Sequence, residues 1–237
     1  MSQFSHAVDH YWQRCLAQTA AHSQQDFLSI NPHLPEGQEI MLLKRDTHTR
    51  AVVTPEWAAR LALAPHPIHD ETTFRQHLAA HGVHLHGADW LHYFTEADQA
   101  QLLQETTPAH IRPLSQADQA AFSQFQSQAS EADLDAAWVE LDHWSVWGAF
   151  VGPQLVCAAS MYVWPDSPLA DTGVLTLPAH RGQGFARDVI RAISRHACLQ
   201  GFEPQYRCQL DHVSSAAVAR AAGMRCYGSW EVLSTDD

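Results

Sequence analysis

The sequence predicts a mixed α/β chain in two parts, a small α/β unit over residues 1–107 and a larger α/β unit over residues 108–237. Two observations carry this. Beyond residue 108, strand-like alternation and helical periodicity follow one another as strand, two helices, three strands, helix, strand, helix, strand. In the middle of that series the apolar run 173–177 passes through Pro178-Ala179-His180-Arg181-Gly182-Gln183-Gly184-Phe185-Ala186 directly into a long amphipathic helix. With 237 residues, 46% of them hydrophobic, the chain is long enough to bury a core in each part.

In the first part, residues 40–43 and 51–53 read as short strands. Thr54-Pro55-Glu56-Trp57 opens a helix with a threonine cap and proline in its first turn, and Pro65 and Pro67 end it. Residues 72–80 form a second helix, 87–94 a mixed strand with Trp90, Tyr93 and Phe94, and Thr95-Glu96-Ala97-Asp98 starts a third helix. Residues 106–109 are the expected linker, punctuated by Pro108.

In the second part, residues 110–114 are a strand and 115–129 a helix, capped by Ser115 with Asp118 three residues on. Residues 131–141 continue as a helix. Residues 147–151, the turn Gly152-Pro153 and residues 155–164 make a hairpin. Residues 206–210 alternate as a strand, and 211–224 read as cap, short helix and glycine C-cap at Gly223. A last strand, 225–233, sets Cys226, Trp230 and Val232 against Tyr227, Ser229 and Glu231, with Gly228 weakening the pattern.

The junction at 178–186 has the chemistry of an anion site. Glycine lacks Cβ, so backbone N–H groups can close on a phosphate. At a helix N-terminus those N–H groups have no intrahelical partner, and the macrodipole favours negative charge there. From Phe185 onward Val189, Ile190, Ile193 and Ala197 share one helix face, while Arg187, Arg191 and Arg195 form a stripe expected to be solvated. Three kinds of glycine turn compete. A dinucleotide turn needs a third glycine, and Arg187 stands in its place; a nucleoside-triphosphate loop needs Gly-Lys-Ser/Thr, which the chain lacks. The third is Arg-x-x-Gly-x-Gly/Ala, which Arg181-Gly182-Gln183-Gly184-Phe185-Ala186 matches at every specified position.

That pattern resembles the pyrophosphate loop of the GCN5-related N-acetyltransferases (GNAT superfamily). Asp211-His212-Val213-Ser214-Ser215 and the helix to Gly223-Met224 resemble the family's second signature, with His212 for the usual Asn and Met224 for the usual Phe. The resemblance covers about residues 108–237, leaving residues 1–107 as an N-terminal extension. It implies the GNAT fold, with a mixed central sheet splayed at an acetyl-CoA site, and an N-acetyltransferase. The backbone of Val174, Leu175, Thr176 and Leu177 would hold the pantetheine arm. The amides of Gly182, Gln183, Gly184, Phe185 and Ala186 would hold the pyrophosphate, with Arg181 and Arg187 nearby. An amine, most simply that of a small molecule, would attack the thioester directly in a ternary complex.

The family's tyrosine, four residues before the helix-ending glycine, is Ala219 here. Ser215 is then a candidate for bonding the cofactor near its sulfur, or a second helix cap beside Ser214. His212 is an acid or relay, or a surface-turn histidine. Tyr227 is a further acid candidate or an ordinary strand tyrosine. Glu140, with Asp142 and His143, is the candidate base or a solvated helix end, and Trp144 and Trp147 would line an acceptor pocket or fill core. The missing tyrosine keeps a second class open, a catalytically silent acyl-CoA-binding regulatory module.

Formal net charge is −12, equal in the two parts, which argues against nucleic acid as a partner and accommodates a cationic acceptor. No apolar run approaches a membrane span and no secretion signal opens the chain, so a cytoplasmic protein is expected. Five cysteines without metal spacing fit a reducing compartment, and Cys208 and Cys226 are read as buried thiols that could face one another. Twelve of the seventeen histidines precede residue 108. His77, His81, His84, His86 and His92 could converge geometrically, but no carboxylate or cysteine ligand stands among them at a diagnostic spacing, and no metal is expected. For the N-terminal part, completing the acceptor site, a homodimer contact and covering a sheet edge are the open roles.

Overall fold

A computed structural model describes residues 3–16, 27–63 and 68–234. Its elements in chain order are α1 (His6–Leu16), β1 (Leu28–Ile30), β2 (Ile40–Arg45), β3 (His48–Val53), α2 (Pro55–Arg60), α3 (Glu71–Ala80), β4 (Asp89–Tyr93) and α4 (Glu96–Gln104). There follow β5 (Ile111–Pro113), α5 (Gln119–Gln126), α6 (Glu131–Ala137), β6 (Ser145–Val151), β7 (Gln154–Val163), β8 (Leu169–Thr176), α7 (Phe185–Leu199), β9 (Glu203–Gln209), α8 (Val213–Ala222) and β10 (Arg225–Val232). Pro65 and Pro67, expected to end a helix, lie outside the described residues.

The chain packs as two compact units, one of Met1–Val8, His92–Arg207 and Val213–Arg225, the other of Asp9–Leu91, Cys208–His212 and Cys226–Asp237. The division does not fall at residue 107. Residues 92–107 go with the later part of the chain, and most of β10 goes with the earlier part.

In the second of these units the strand order is β1-β3-β2-β10. β2 and β3 are an antiparallel pair, and β10 extends it antiparallel to β2 with Trp230 opposite Leu43. Phe74 and Leu78 of α3 pack with Leu42 and Val53 in one apolar core. Gly228, which looks out of place in a strand, is required there: a Cβ would lie 2.4 Å from the Lys44 carbonyl oxygen. On β10 it is Tyr227 that is buried while Cys226 is exposed, so Cys226 is not the buried thiol that strand alternation suggests.

The first unit carries the order β9-β8-β7-β6-β5. β5 to β8 are antiparallel neighbours, and β8 pairs parallel with β9. Alternation along β7 sorts the two faces. Cys157, Ala159 and Met161 pack under Val189, Ile193 and Ala197 of α7, whereas Ala158 packs with Phe122 and Phe125 of α5. The small residues on β7 let α7 lie close to the sheet. Ser115 and Asp118 form the expected capping box, but the turn that they cap is a short 3-10 helix leading into α5.

The helix expected over 131–141 stops at Ala137, because Trp138 takes the left-handed conformation (φ 42°, ψ 51°) and turns the chain out. Gly223 ends α8 at φ 97° as its position predicts. Arg191 of α7 donates to the Ala222 carbonyl there and pairs with Glu105, while Arg195 donates to the Leu103 carbonyl. Of the stripe expected to be solvated, Arg191 and Arg195 are therefore built into the contacts of α7 with α8 and with the C-terminal end of α4, while Arg187 stays half exposed. Helical spacing shows which residues share a face but not what covers it.

Candidate active site

The site is built where β8 and β9 part. Their parallel register runs from Leu169 opposite Glu203 to Thr172 opposite Tyr206 and ends there. β8 continues to Thr176, still paired on its other edge with β7, so residues 173–176 leave one backbone edge unpaired among the described residues. Leu175 and Leu177 bury their side chains in the α5 core, and Val174 lies against the α7 core, so the sheet fixes the backbone of this run.

That edge runs without interruption into the glycine loop. Residues 178–180 form a 3-10 turn, Arg181 is extended, and Gly182 and Gly184 have φ of 74° and 88°. Gly184 is the N-cap of α7, and no side chain caps that end, so the first-turn N–H groups have no capping side chain. A Cβ at Gly182 would meet nothing within 4 Å, which makes the space above the loop open. Arg181 donates to the Thr176 carbonyl (3.1 Å) and pairs with Asp133 (3.0 Å); Arg187 pairs with Asp188 (2.6 Å). Both arginine side chains remain half exposed at the loop. Gln183 donates back to the Ala179 carbonyl at 3.3 Å, and Phe185 and Ala186 begin the apolar face of α7.

Closed below and open above, the fork is pinned by a polar network. Asp171 of β8, 4% exposed, accepts from Tyr162 Oη (2.7 Å), Arg207 Nε (2.7 Å) and Gln205 Nε2 (3.2 Å). Tyr93 Oη donates to Gln205 in turn. Burial, and next the Asp171 charge, push the Tyr162 phenol up to about 12. None of these long-range partners is legible in a sequence whose strands show only alternation.

On the opposite sheet face, Tyr206, 4% exposed, stands at the last paired register and its hydroxyl lies 2.7 Å from Ser215 Oγ on α8. Ser215 is thus at the fork, joined to a phenol that sequence reasoning missed. Ala219 is fully buried in α8. His212 is exposed on the turn before α8, its N–H donating to the Gln209 carbonyl, and it belongs to the other compact unit. Tyr227 belongs there too: its hydroxyl donates to Asp9 (3.3 Å) and accepts from Arg45 (3.0 Å), whose guanidinium lies 4.2 Å from the ring centroid. Burial raises that phenol well above its ordinary value.

Glu140 is half buried on the segment after α6, its N–H donating to Ser160 Oγ at 3.3 Å. The same Ser160 oxygen lies 2.8 Å from His143 Nδ1. Burial lowers the His143 pKa, against the opposing charges of Asp142 and Glu140. Trp144 and Trp147 do not line this region; they pack against His196 of α7, Trp144 also against Phe202. Trp138 takes that place, its ring edge-on to Tyr162 (4.6 Å between centroids) and to His143 (5.1 Å).

Among the described residues no group of three His, Cys, Asp or Glu could hold a metal ion. His77 Nε2 donates to the Leu61 carbonyl, and its ring lies tilted against that of His81. Among the same residues no helix is long and apolar enough to cross a membrane.

No family model matches the chain, and no curated protein does either. Solved structures overlap it at low identity. An acetyltransferase of the GNAT family from Colwellia psychrerythraea is 17% identical, with a TM-score of 0.48 over 63% of this chain and 57% of that one. A GCN5-related N-acetyltransferase from Kribbella flavida is 20% identical, with a TM-score of 0.47 over 67% and 62%. An aminoglycoside N-acetyltransferase crystallised with CoA is 22% identical, with a TM-score of 0.40 over 48% and 90%. The chain thus spans about 60% of the length of the first two. The loop at 181–186, the order of elements around it and the fork between β8 and β9 give this part of the chain the fold of the GCN5-related N-acetyltransferases.

Proposed function

We propose that the chain transfers an acetyl group from acetyl-CoA to a primary amine in a ternary complex. One observation supports this above the others: the unpaired edge of residues 173–176 leads directly into an uncapped, glycine-lined helix N-terminus, so one continuous backbone track offers strand-type hydrogen bonds and then an anion cradle. A diphosphate on an amide-bonding arm fits that track. The amides of Gly182, Gln183, Gly184, Phe185 and Ala186 hold the pyrophosphate, with Arg181 and Arg187 beside it. The backbone of Val174, Leu175, Thr176 and Leu177 holds the pantetheine, and one N–H of this run polarises the thioester carbonyl.

The amine nitrogen attacks the acyl carbon, the C–N bond forms and the C–S bond breaks, leaving amide and thiolate. Tyr206 protonates the departing sulfur, with Ser215 relaying or orienting its hydroxyl; their 2.7 Å contact supports this assignment. A phenol from the strand then serves where Ala219 has none. Tyr227 and His212 have no step in this scheme. The test is thiol release from acetyl-CoA with a panel of primary amines, alongside calorimetric binding of acetyl-CoA. Release with an amine is the expected result; tight binding with no release for any amine would instead favour a silent acyl-CoA-binding module.

A further inference from the structure

We infer that Trp138, His143 and Tyr162 form the acceptor subsite, that it takes a primary alkylammonium, and that His143 is the group that removes its proton. The inference rests on the transferase reading for its chemistry and on independent geometry for its place. Ser160, fully buried on β7, is the direct register partner of Gly173 on β8, the first residue beyond the paired part of the fork. His143 Nδ1 is held on Ser160 Oγ at 2.8 Å, so the imidazole is one hydrogen bond from the residue that pairs with the backbone opening the fork. In the tautomer whose Nδ1–H donates to Ser160, the Nε2 lone pair is left for a proton, and Nε2 makes no hydrogen bond among the described residues.

Two rings flank that imidazole. Trp138 and Tyr162 lie 4.6 Å apart between centroids and each contacts His143, giving aromatic faces of the kind that attract an ammonium group. Trp138 is 53% exposed although it is a large ring, and it is held at φ 42°, a conformation unfavourable for a residue with Cβ. Non-glycine residues kept in such a conformation cluster at ligand sites. Its backbone is pressed against the fork: a Cβ on Gly173 would lie 3.2 Å from the Trp138 carbonyl oxygen.

The charges facing His143 are Glu140 and Asp142 on its own segment. Beyond Tyr162 of β7, Asp171 of β8 is paired with Arg207 of β9, so the carboxylates outnumber the guanidinium and the field favours a cation. The step balances. One proton of the ammonium passes to His143 and then to solvent, the freed lone pair attacks the acyl carbon, and the second proton lost from nitrogen on collapse is matched by the one gained by sulfur.

The test titrates hexylamine, and hexanol as its uncharged counterpart, into the full chain calorimetrically, with and without CoA. Wild type binds the amine and not the alcohol. Trp138→Gly, which suits φ 42° and so keeps the fold, weakens amine binding about tenfold or more. His143→Gln keeps amine affinity within about threefold but lowers kcat for thiol release about 100-fold or more and removes the low-pH limb of its profile. Unchanged amine affinity in Trp138→Gly, equal binding of the alcohol, or no amine binding by wild type would overturn the subsite. Amine binding that is lost in Trp138→Gly, in a chain that never turns over acetyl-CoA, would support the subsite while removing the transferase reading and the role of His143.

Discussion

Replacing Gly173 by alanine tests both the fold and the geometry of the fork. The new Cβ would lie 2.1 Å from the Ala137 carbonyl oxygen and 3.2 Å from that of Trp138. An ordinary contact of about 3.3 Å requires a backbone shift of roughly 1.2 Å, and backbone cannot rotate away as a side chain can. Overpacking of this kind costs about 2–3 kcal/mol, which for a chain of this size lowers Tm by about 5–10 °C. Gly148→Ala is the control within the same sheet: its Cβ would meet the Leu155 Cδ1 methyl at 2.5 Å, a flexible end that can turn, so the loss there is about 1 kcal/mol. Thermal unfolding followed by circular dichroism ranks the two. A Gly173→Ala protein melting within about 1 °C of wild type, or above Gly148→Ala, would refute the claim that β8 is pressed against the end of α6.

The other expectations concern the loop, the acid and a buried histidine. Gly184→Val forces a β-branched residue to φ 88°, where its Cβ meets the Arg187 guanidinium at 3.2 Å; calorimetry should show acetyl-CoA affinity at least about tenfold weaker, and an unchanged Kd would remove the pyrophosphate assignment. Tyr206→Phe should lower kcat about 10- to 100-fold with KM for acetyl-CoA within about twofold, and an unaltered kcat would take the acid role from Tyr206. His92, 2% exposed, has its pKa lowered to about 4, by burial first and then by the Arg220 charge. A depressed folded-state value means that its contribution is intact above the ordinary histidine pKa of about 6.5 and is lost as pH falls toward 4, about 3 kcal/mol in the limit. Urea midpoints from pH 7 to 4 should fall more steeply in wild type than in His92→Leu, and parallel curves would contradict the assignment.

How far the sequence is legible depends on the range of the interaction. The strand-to-helix junction at 178–186, the Thr54, Ser115 and Thr95 caps and the Gly223 terminus are all set by neighbours within a few residues, and each is present. Trp138 is different. Nothing adjacent stops α6 there, and the left-handed turn accompanies a strand 35 positions later whose Gly173 leaves room for the Ala137 carbonyl. The contact of Tyr206 with Ser215 joins a strand alternation to a helix periodicity, and neither pattern contains the other. The arginine stripe on α7 shows the same limit: 3.6-residue spacing puts Arg191 and Arg195 on one face, and only the fold brings Glu105 and the Leu103 carbonyl to them.

The fork itself follows from two opposed features two residues apart. At Asp171 the strands are tied, since its carboxylate takes hydrogen bonds from Gln205 and Arg207 of β9 and from Tyr162 of β7. Asp171 faces Gln205 in the register, so the tie sits on paired backbone and holds the last turns of the ladder shut. Two residues on, Gly173 has no side chain to bridge to β9 and is seated instead against the end of α6. β8 is thus anchored to β9 by charge-assisted hydrogen bonds and drawn toward α6 by close packing immediately beyond, which ends pairing at Thr172. The Trp138 carbonyl lies against Gly173, whose register partner Ser160 holds His143 beside the Trp138 ring. One arrangement of short contacts therefore opens the backbone edge proposed to hold the cofactor and sets the aromatic cluster proposed to take the acceptor, so a change at Gly173 should disturb both halves of the proposed reaction together.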